Sequence, residues 1–203
     1  MEATKLIFIG SGGHARVLIS IAENNNILKV EGVFDHNEKI KSLDGIKNFG
    51  SYSSDLFKDA TAIIAIGDNQ LRKKIAKTID HSFGNLVHST SVIDRLSSID
   101  VGSVVMHNAV IQRNTKIGKH CIVNTSSSID HDCVIGDFVH LAPNTTVCGG
   151  VKIGFGTLVG AAAVIIPQIS IGSNVIIGAG AIINQDIPDG ATVLGNPGKI
   201  IVK

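Results

Sequence analysis

From residue 93 onward an aliphatic side chain returns every six positions: Ile93, Ile99, Val105, Ile111, Ile117, Val123, Ile129, Ile135, Leu141, Val147, Ile153, Val159, Ile165, Ile171, Ile177 and Ile183. That is sixteen consecutive positions without an insertion. A period of six matches neither the 3.6-residue helix nor the two-residue alternation of a strand. It matches a chain that turns a corner every six residues. Three such segments close a triangular coil, and coils stack into a prism whose interior the aliphatics fill. Four residues after each aliphatic stands a second, mostly small residue: Ser97, Ser103, Ala109, Thr115, Cys121, Ser127, Cys133, Val139, Thr145, Val151, Thr157, Ala163, Ile169, Val175, Ala181 and Ile187. It is expected to fit inside, near a corner. Glycine often follows the first member, at Gly118, Gly136, Gly154, Gly160, Gly172 and Gly178, and is expected to relax the turn.

The residues before about position 85 obey another rule. Lys5 to Ile9 reads as a strand, Gly10-Ser11-Gly12-Gly13-His14 as a glycine-rich turn, and Ala15 to Asn24 as a helix with Val17, Leu18, Ile21 and Ala22 on one face. Val30 to Phe34 and Thr61 to Ile66 read as further strands, and Leu71 to Ile79 as a second helix. The pattern is βαβ with a parallel sheet. The stretch from His36 to Lys58 reads as a loop with a short helix. The expected architecture is a small Rossmann-like α/β domain over 1–85 and a parallel β-helix over 86–203.

Composition narrows the function classes. A formal net charge of +1 gives no basic footprint for nucleic acid. The longest apolar run, Leu158 to Ile166, is too short to span a bilayer, and the first residues lack the features of a signal peptide. A soluble, cytoplasmic protein is expected. Cys121, Cys133 and Cys148, an odd number without CxxC spacing, fit neither a disulfide framework nor a zinc knuckle. Cys121 and Cys133 fall in the small inner slot and read as core thiols.

The hexad series resembles the hexapeptide-repeat acyltransferases, and that resemblance implies a left-handed coil. With the start Lys5-Leu-Ile-Phe-Ile-Gly-Ser-Gly-Gly-His14, the segment Ala65-Ile-Gly-Asp-Asn69 and the run Asn124-Thr-Ser-Ser-Ser-Ile-Asp-His-Asp132, the chain is similar to the sialic acid O-acetyltransferase (NeuD) family. Within it, the UDP-4-amino-sugar N-acetyltransferases of the bacillosamine pathway are the nearest group. The resemblance covers nearly the whole chain.

His131, two places after Ile129, should point out of the prism. Acetyl transfer needs a base for the acceptor's proton, and imidazole suits that task near neutral pH. The resemblance implies that His131 is this base and that Asp132, where relatives often carry Glu, raises its basicity. It also implies that His140, Gly149, Ala161, Ala179 and Lys199 contact acetyl-CoA; Asn124, opening the Asn-Thr-Ser-Ser run, could hydrogen-bond substrate or orient His131, or simply belong to a polar coil turn. Gly149-Gly150 could present a backbone N–H to the oxyanion; small residues at Ala161 and Ala179 would let pantetheine lie along the prism; Lys199 could meet a phosphate.

Gly10-x-Gly12-x-x-Ala15, with Asp35 twenty residues beyond, satisfies the dinucleotide fingerprint. A domain of about 85 residues holds only half of such a fold, so a mononucleotide fits better. The glycines and the helix N-terminus favour a phosphate. By resemblance, Gly12, Gly13 and His14 take the sugar-phosphate side of a nucleotide-sugar, Asp35 and His36 the nucleotide, and Gly67 and Asn69 line the same crevice. The expected activity is acetyl-CoA-dependent N-acetylation of a nucleotide-linked amino-sugar by a homotrimer, without a metal. O-acetylation of a sialic acid, a zinc lyase of the carbonic anhydrase type, for which the expected His-x4-His pair is missing, and a scaffold with a decayed site are the alternatives.

Overall fold

The computed structural model describes residues 3–37 and 39–201; Met1, Glu2, Glu38, Val202 and Lys203, which the domain boundaries and the loop above include, lie outside them. The chain divides into two compact units at Leu86/Val87.

In the first unit, strands β1 (Thr4–Ile9), β2 (Leu28–Phe34) and β5 (Thr61–Ile64) form a parallel sheet of order β2-β1-β5. β1 is central, and Leu6, Ile7, Phe8 and Ile9 are all buried, which is why its sequence is a continuous apolar run and not an alternating one. Helix α1 (Gly13–Glu23) buries Ala15, Leu18, Ile19, Ile21 and Ala22. Val17, expected on that face, is exposed. Ala15, Leu18, Ile19 and Ala22 follow i, i+3, i+4, i+7 spacing, and Val17 falls off that stripe. Helix α2 (Asn69–Ala76) starts where the Asp68 side chain accepts from the Leu71 N–H.

The stretch from His36 to Lys58 departs from expectation. Its described residues contain no helix, but a hairpin of β3 (Ser42–Leu43) and β4 (Ile46–Lys47). Asp44 and Gly45 both take positive φ at its turn, the Asp-Gly chemistry of a tight hairpin. The rest of the stretch lays Phe49, Tyr52 and Phe57 around Phe34, with ring centroids 6.0, 5.6 and 6.3 Å away.

The second unit is a β-solenoid of two-residue strands in three parallel sheets. Each residue pairs with the one 18 positions away, as in Ile93–Ile111–Ile129–Val147–Ile165–Ile183 and Val105–Val123–Leu141–Val159–Ile177. Three hexads therefore make one coil. The aliphatics from Val105 to Ile183 are buried. The final coil is two residues shorter, since Ile171 meets Ile187 and Ile177 meets Val193, and the chain returns as the antiparallel strand Lys199–Ile201 against Thr192–Leu194.

The small inner residues do more than fill space. The hydroxyls of Ser103, Thr115, Ser127 and Thr157 each donate to a backbone carbonyl fifteen residues on, at Gly118, Asp130, Ala142 and Gly172. Cys121 and Cys133 occupy the same slot, their thiols directed at Gly136 and Cys148 carbonyls. They are core thiols tied to the backbone.

The corner conformation corrects one expectation. Positive φ falls three residues after each aliphatic, at Asn108, Asn114, His120, Ser126, Asp132, Phe138 and Asn144, and not at the glycines immediately after it. Those glycines serve close stacking instead: a Cβ at Gly154 would lie 2.6 Å from the Gly172 carbonyl carbon, and one at Gly160 2.5 Å from the Ala179 nitrogen.

Candidate active site and nucleotide cleft

His131 and Asp132 form one corner of a coil. Ile129 and Cys133 point inward on either side, and of the three residues between them His131 and Asp132 are exposed, with Asp132 at φ 59°. Asp132 Oδ2 lies 2.8 Å from His131 Nδ1. The shorter Asp arm therefore reaches the ring and leaves Nε2 on the far side of it. Asp130 Oδ1 accepts from the His131 N–H at 2.8 Å. Asn114 Nδ2 donates to the other Asp132 oxygen, Oδ1, at 3.1 Å. The buried Thr115 hydroxyl clasps the corner from inside, donating to Asp130 O (2.7 Å) and accepting from the Cys133 N–H (3.2 Å).

The electrostatics follow this geometry. The hydrogen bond to Asp132 raises the His131 pKa, and the charge of Asp130 adds to the rise. Hydrogen bonds from His131 and Asn114 hold the Asp132 carboxyl below its ordinary value. The imidazole is thus a stronger base than a free histidine, with its tautomer set by the carboxylate.

Gly149 is the corner residue one coil further on, 18 positions after His131. A Cβ there would lie 2.8 Å from His131 Cε1 and Nε2. The ring therefore rests over Gly149 in space that any other residue would fill. The neighbouring Gly150 N–H is bound to His131 O at 2.9 Å.

The other expected solenoid residues fall elsewhere on the coil. His140 opens the strand His140–Leu141, and Asn124 Nδ2 lies 3.2 Å from His140 Nε2. Asn124 thus pairs with His140, while His131 is oriented by Asp132 and Asp130. Ala161 and Ala179, 18 apart, are exposed at a corner of their own. Lys199 is exposed at the start of the last strand. Among the described residues no group of three His, Cys, Asp or Glu could hold a metal.

The first unit carries a cleft of about 530 Å³ at the carboxyl ends of its strands, the usual ligand position of such sheets. Gly12, Gly13, His14, Asp35, His36 and Gly67 line it, with Phe34, Tyr52, Leu71 and Ile79 among its apolar walls. A Cβ at Gly12 or Gly13 would meet nothing within 4 Å, so the fold does not demand these glycines. Their bareness keeps the start of α1 open, and Gly12 caps that helix without a side-chain hydrogen bond. The N-terminus of a helix is a favourable position for an anion.

Asp35 is bound into the cleft wall. Its Oδ2 accepts from both the N–H and the hydroxyl of Ser11, at 2.8 and 2.7 Å, and its Oδ1 from the Asn37 N–H at 2.9 Å. Burial acts to raise its pKa, but these hydrogen bonds outweigh burial and hold it low. The carboxylate therefore fixes the glycine loop and retains one acceptor site on Oδ1 for a ligand. Asn69 is not among the lining residues. Its Oδ1 accepts from Arg72, which also donates to the carbonyls of Ile66 and Gly67. Arg72 and Asn114 lie outside every motif, whereas Ser11, Thr115 and Asp130 stand inside motifs that do not reveal their hydrogen bonds. The 18-residue register alone pairs Asn114 with Asp132 and Gly149 with His131.

An α/β unit with a glycine-lined cleft, joined to a hexapeptide solenoid that displays a carboxylate-paired histidine, defines a class: the hexapeptide transferases with a nucleotide-fold N-terminal domain. Residues 5–79 match the PglD N-terminal domain, and residues 114–149 and 150–185 match the bacterial transferase hexapeptide repeats. The acetyltransferase domain of PglB from Neisseria gonorrhoeae FA1090 is 32% identical, with a TM-score of 0.91 over 97% of this chain and 99% of that one. A variant of perosamine N-acetyltransferase from Caulobacter crescentus, solved with CoA and GDP-perosamine, is 30% identical, with a TM-score of 0.93 over 98% of this chain and 97% of that one. UDP-N-acetylbacillosamine N-acetyltransferase of Bacillus subtilis (strain 168) is 34% identical over 108 residues, 48% of this chain and 49% of that protein, so the match spans about half the length of that curated relative. The chain belongs to the hexapeptide-repeat sugar N-acetyltransferases that carry a PglD-type N-terminal domain. No helix among the described residues is long and apolar enough to cross a membrane.

Proposed function

We propose that this protein transfers the acetyl group of acetyl-CoA to the amino group of a nucleotide-linked amino-sugar, such as a UDP-4-amino-4,6-dideoxy sugar, with His131 as general base. The observation that carries the reading is the His131–Asp132 pair at an exposed corner, with Nε2 free of the carboxylate and resting over Gly149. In the reaction the neutral amine attacks the thioester carbonyl and its proton passes to Nε2. The tetrahedral oxyanion is met by the Gly149 N–H, since the Gly150 N–H is already committed to His131 O. Collapse expels CoA thiolate, which takes up a proton, and leaves the sugar amide. Asp132 steadies the imidazolium meanwhile.

The nucleotide is assigned to the first unit's cleft. Gly12, Gly13 and His14 take the phosphate side, and Asp35, His36 and Gly67 the nucleoside side, with Asn69 acting through Arg72. Acetyl-CoA is assigned to Gly149, His140, Ala161, Ala179 and Lys199, and Asn124 to the acceptor sugar's side of His140. Ala161 and Ala179 stand at a different corner from His131, and a groove between neighbouring solenoids would let one cosubstrate reach both corners. This supports a homotrimer. The thiol state of Cys121, Cys133 and Cys148, none of them in a disulfide, and the need for acetyl-CoA favour a cytoplasmic enzyme.

A thiol-release assay over a substrate panel tests the reading. Turnover is expected with UDP- or GDP-linked 4-amino sugars. Turnover on free sialic acid, with none on the nucleotide amino-sugars, would replace it by O-acetylation.

A further inference from the structure

His131 and Asp132 are both more than half exposed, with side-chain accessibilities of 58% and 57%. An exposed pair of this kind is ordinarily loose, because ordering two side chains costs about what their attraction returns. A base that must present one nitrogen to an acceptor needs something firmer. The register of the solenoid supplies it one coil earlier. Asn114 precedes Asp132 by 18 residues, both take φ 59°, and their side chains lie along the same edge with Asn114 Nδ2 3.1 Å from Asp132 Oδ1. The next residue on that edge, Gly150, has no side chain. The Asp132 carboxylate is held by one oxygen from the Asn114 side, while the Gln168 side chain, from the coil beyond, occupies the space over Gly150.

We propose that Asn114 is a positioning residue for the His131 base: its amide grips one oxygen of Asp132 and so keeps the second turned toward His131 Nδ1. This rests on the reading of His131 as the base. Asn114 itself touches no reacting atom. The charged groups of the corner are Asp130 and Asp132 beside the ring and Arg113, the corner residue one coil earlier, whose carbonyl accepts the Asp132 N–H at 3.0 Å.

Two variants of the full chain test the assignment. Both Gly and Asp tolerate positive φ, so the corner is kept in each. Asn114→Gly removes the amide. kcat with acetyl-CoA and a UDP-linked 4-amino-4,6-dideoxy sugar should fall about 3–10-fold, the worth of one ordinary hydrogen bond, with both KM values unchanged. The acid limb of the pH profile should move to lower pH, because a loosened carboxylate supports the imidazolium less. Asn114→Asp replaces the donor by a second negative charge, and the acid limb should move to higher pH. Opposite displacements distinguish positioning from a packing role. Wild-type kcat and pH limb in both variants, displacement in the same direction, or a change confined to KM would overturn the assignment.

An NMR titration of the His131 imidazole in the same variants keeps this separate from the catalytic reading. If His131→Ala retains full activity, the base assignment fails, while the titration still reports whether Asn114 governs the Asp132–His131 pair. An identical His131 titration in wild type and Asn114→Gly would refute the inference on its own.

Discussion

Replacing Thr115 by valine keeps the shape of a fully buried side chain and deletes its hydroxyl. That hydroxyl donates to Asp130 O at 2.7 Å and accepts from the Cys133 N–H at 3.2 Å, so it closes the backbone on both sides of the His131–Asp132 corner. Valine leaves a buried carbonyl and a buried N–H without that partner, at about 1–3 kcal/mol each. The added methyl returns about 0.8 kcal/mol of apolar burial. The net loss is about 1–5 kcal/mol, or about 2–20 °C in Tm for a chain of this size. Thr115→Ser keeps both hydrogen bonds and loses one methyl, at about 1 kcal/mol. Thermal and urea unfolding followed by circular dichroism compare the two. A valine variant within about 0.5 kcal/mol of wild type, or serine as the more damaging replacement, would show that the Thr115 hydroxyl does not strap this corner.

Three further outcomes follow from the site. Gly149→Ala should lower kcat by about 10-fold or more, since near-angstrom displacements of a catalytic group are costly; its Cβ would press on the His131 ring, and Gly149 is not at positive φ, so an unchanged melting curve with lost turnover is expected. Gly12→Val places a side chain in open cleft without clashing in the fold; titration calorimetry should show weakened nucleotide-sugar binding with acetyl-CoA binding intact, and unaltered affinity would remove Gly12 from the site. Because Asp132 and Asp130 raise the His131 pKa, the neutral base is lost as pH falls through a value above that of ordinary histidine. The acid limb of kcat should therefore lie above pH ~6.5, and Asp132→Asn should move it to lower pH while reducing the plateau; a limb that stays in place would separate Asp132 from the base.

The solenoid was legible because one period governs it. A six-residue repeat named the inward residues in advance, and three times six is the register that the strands adopt. The same arithmetic places Gly149 over His131 and Asn114 under Asp132, a step that motif reading alone did not take. The role of the glycines is not visible in the sequence, because composition does not distinguish a turn from a close approach. The αL corner falls three residues after each aliphatic, where Asn, Asp, Ser and even Phe138 tolerate it because the stacked coils over-determine the backbone. Between His36 and Lys58 no period exists to read. Two-residue strands carry too little pattern, and that segment's order comes from Phe49, Tyr52 and Phe57 closing on Phe34, a tertiary arrangement. The glycine loop of the cleft was visible as a motif. The engagement of Asp35 by Ser11 was not, since a fingerprint gives the spacing of a carboxylate and not what occupies its lone pairs.

Thiol release from acetyl-CoA by His131→Ala, assayed with a nucleotide-linked 4-amino sugar, probes the chemistry at its centre. kcat should fall about 10²–10⁴-fold, the contribution of a lost general base, with the melting temperature and the affinity for nucleotide-sugar preserved. Turnover at the wild-type rate would mean that the proton leaves the amine by another route.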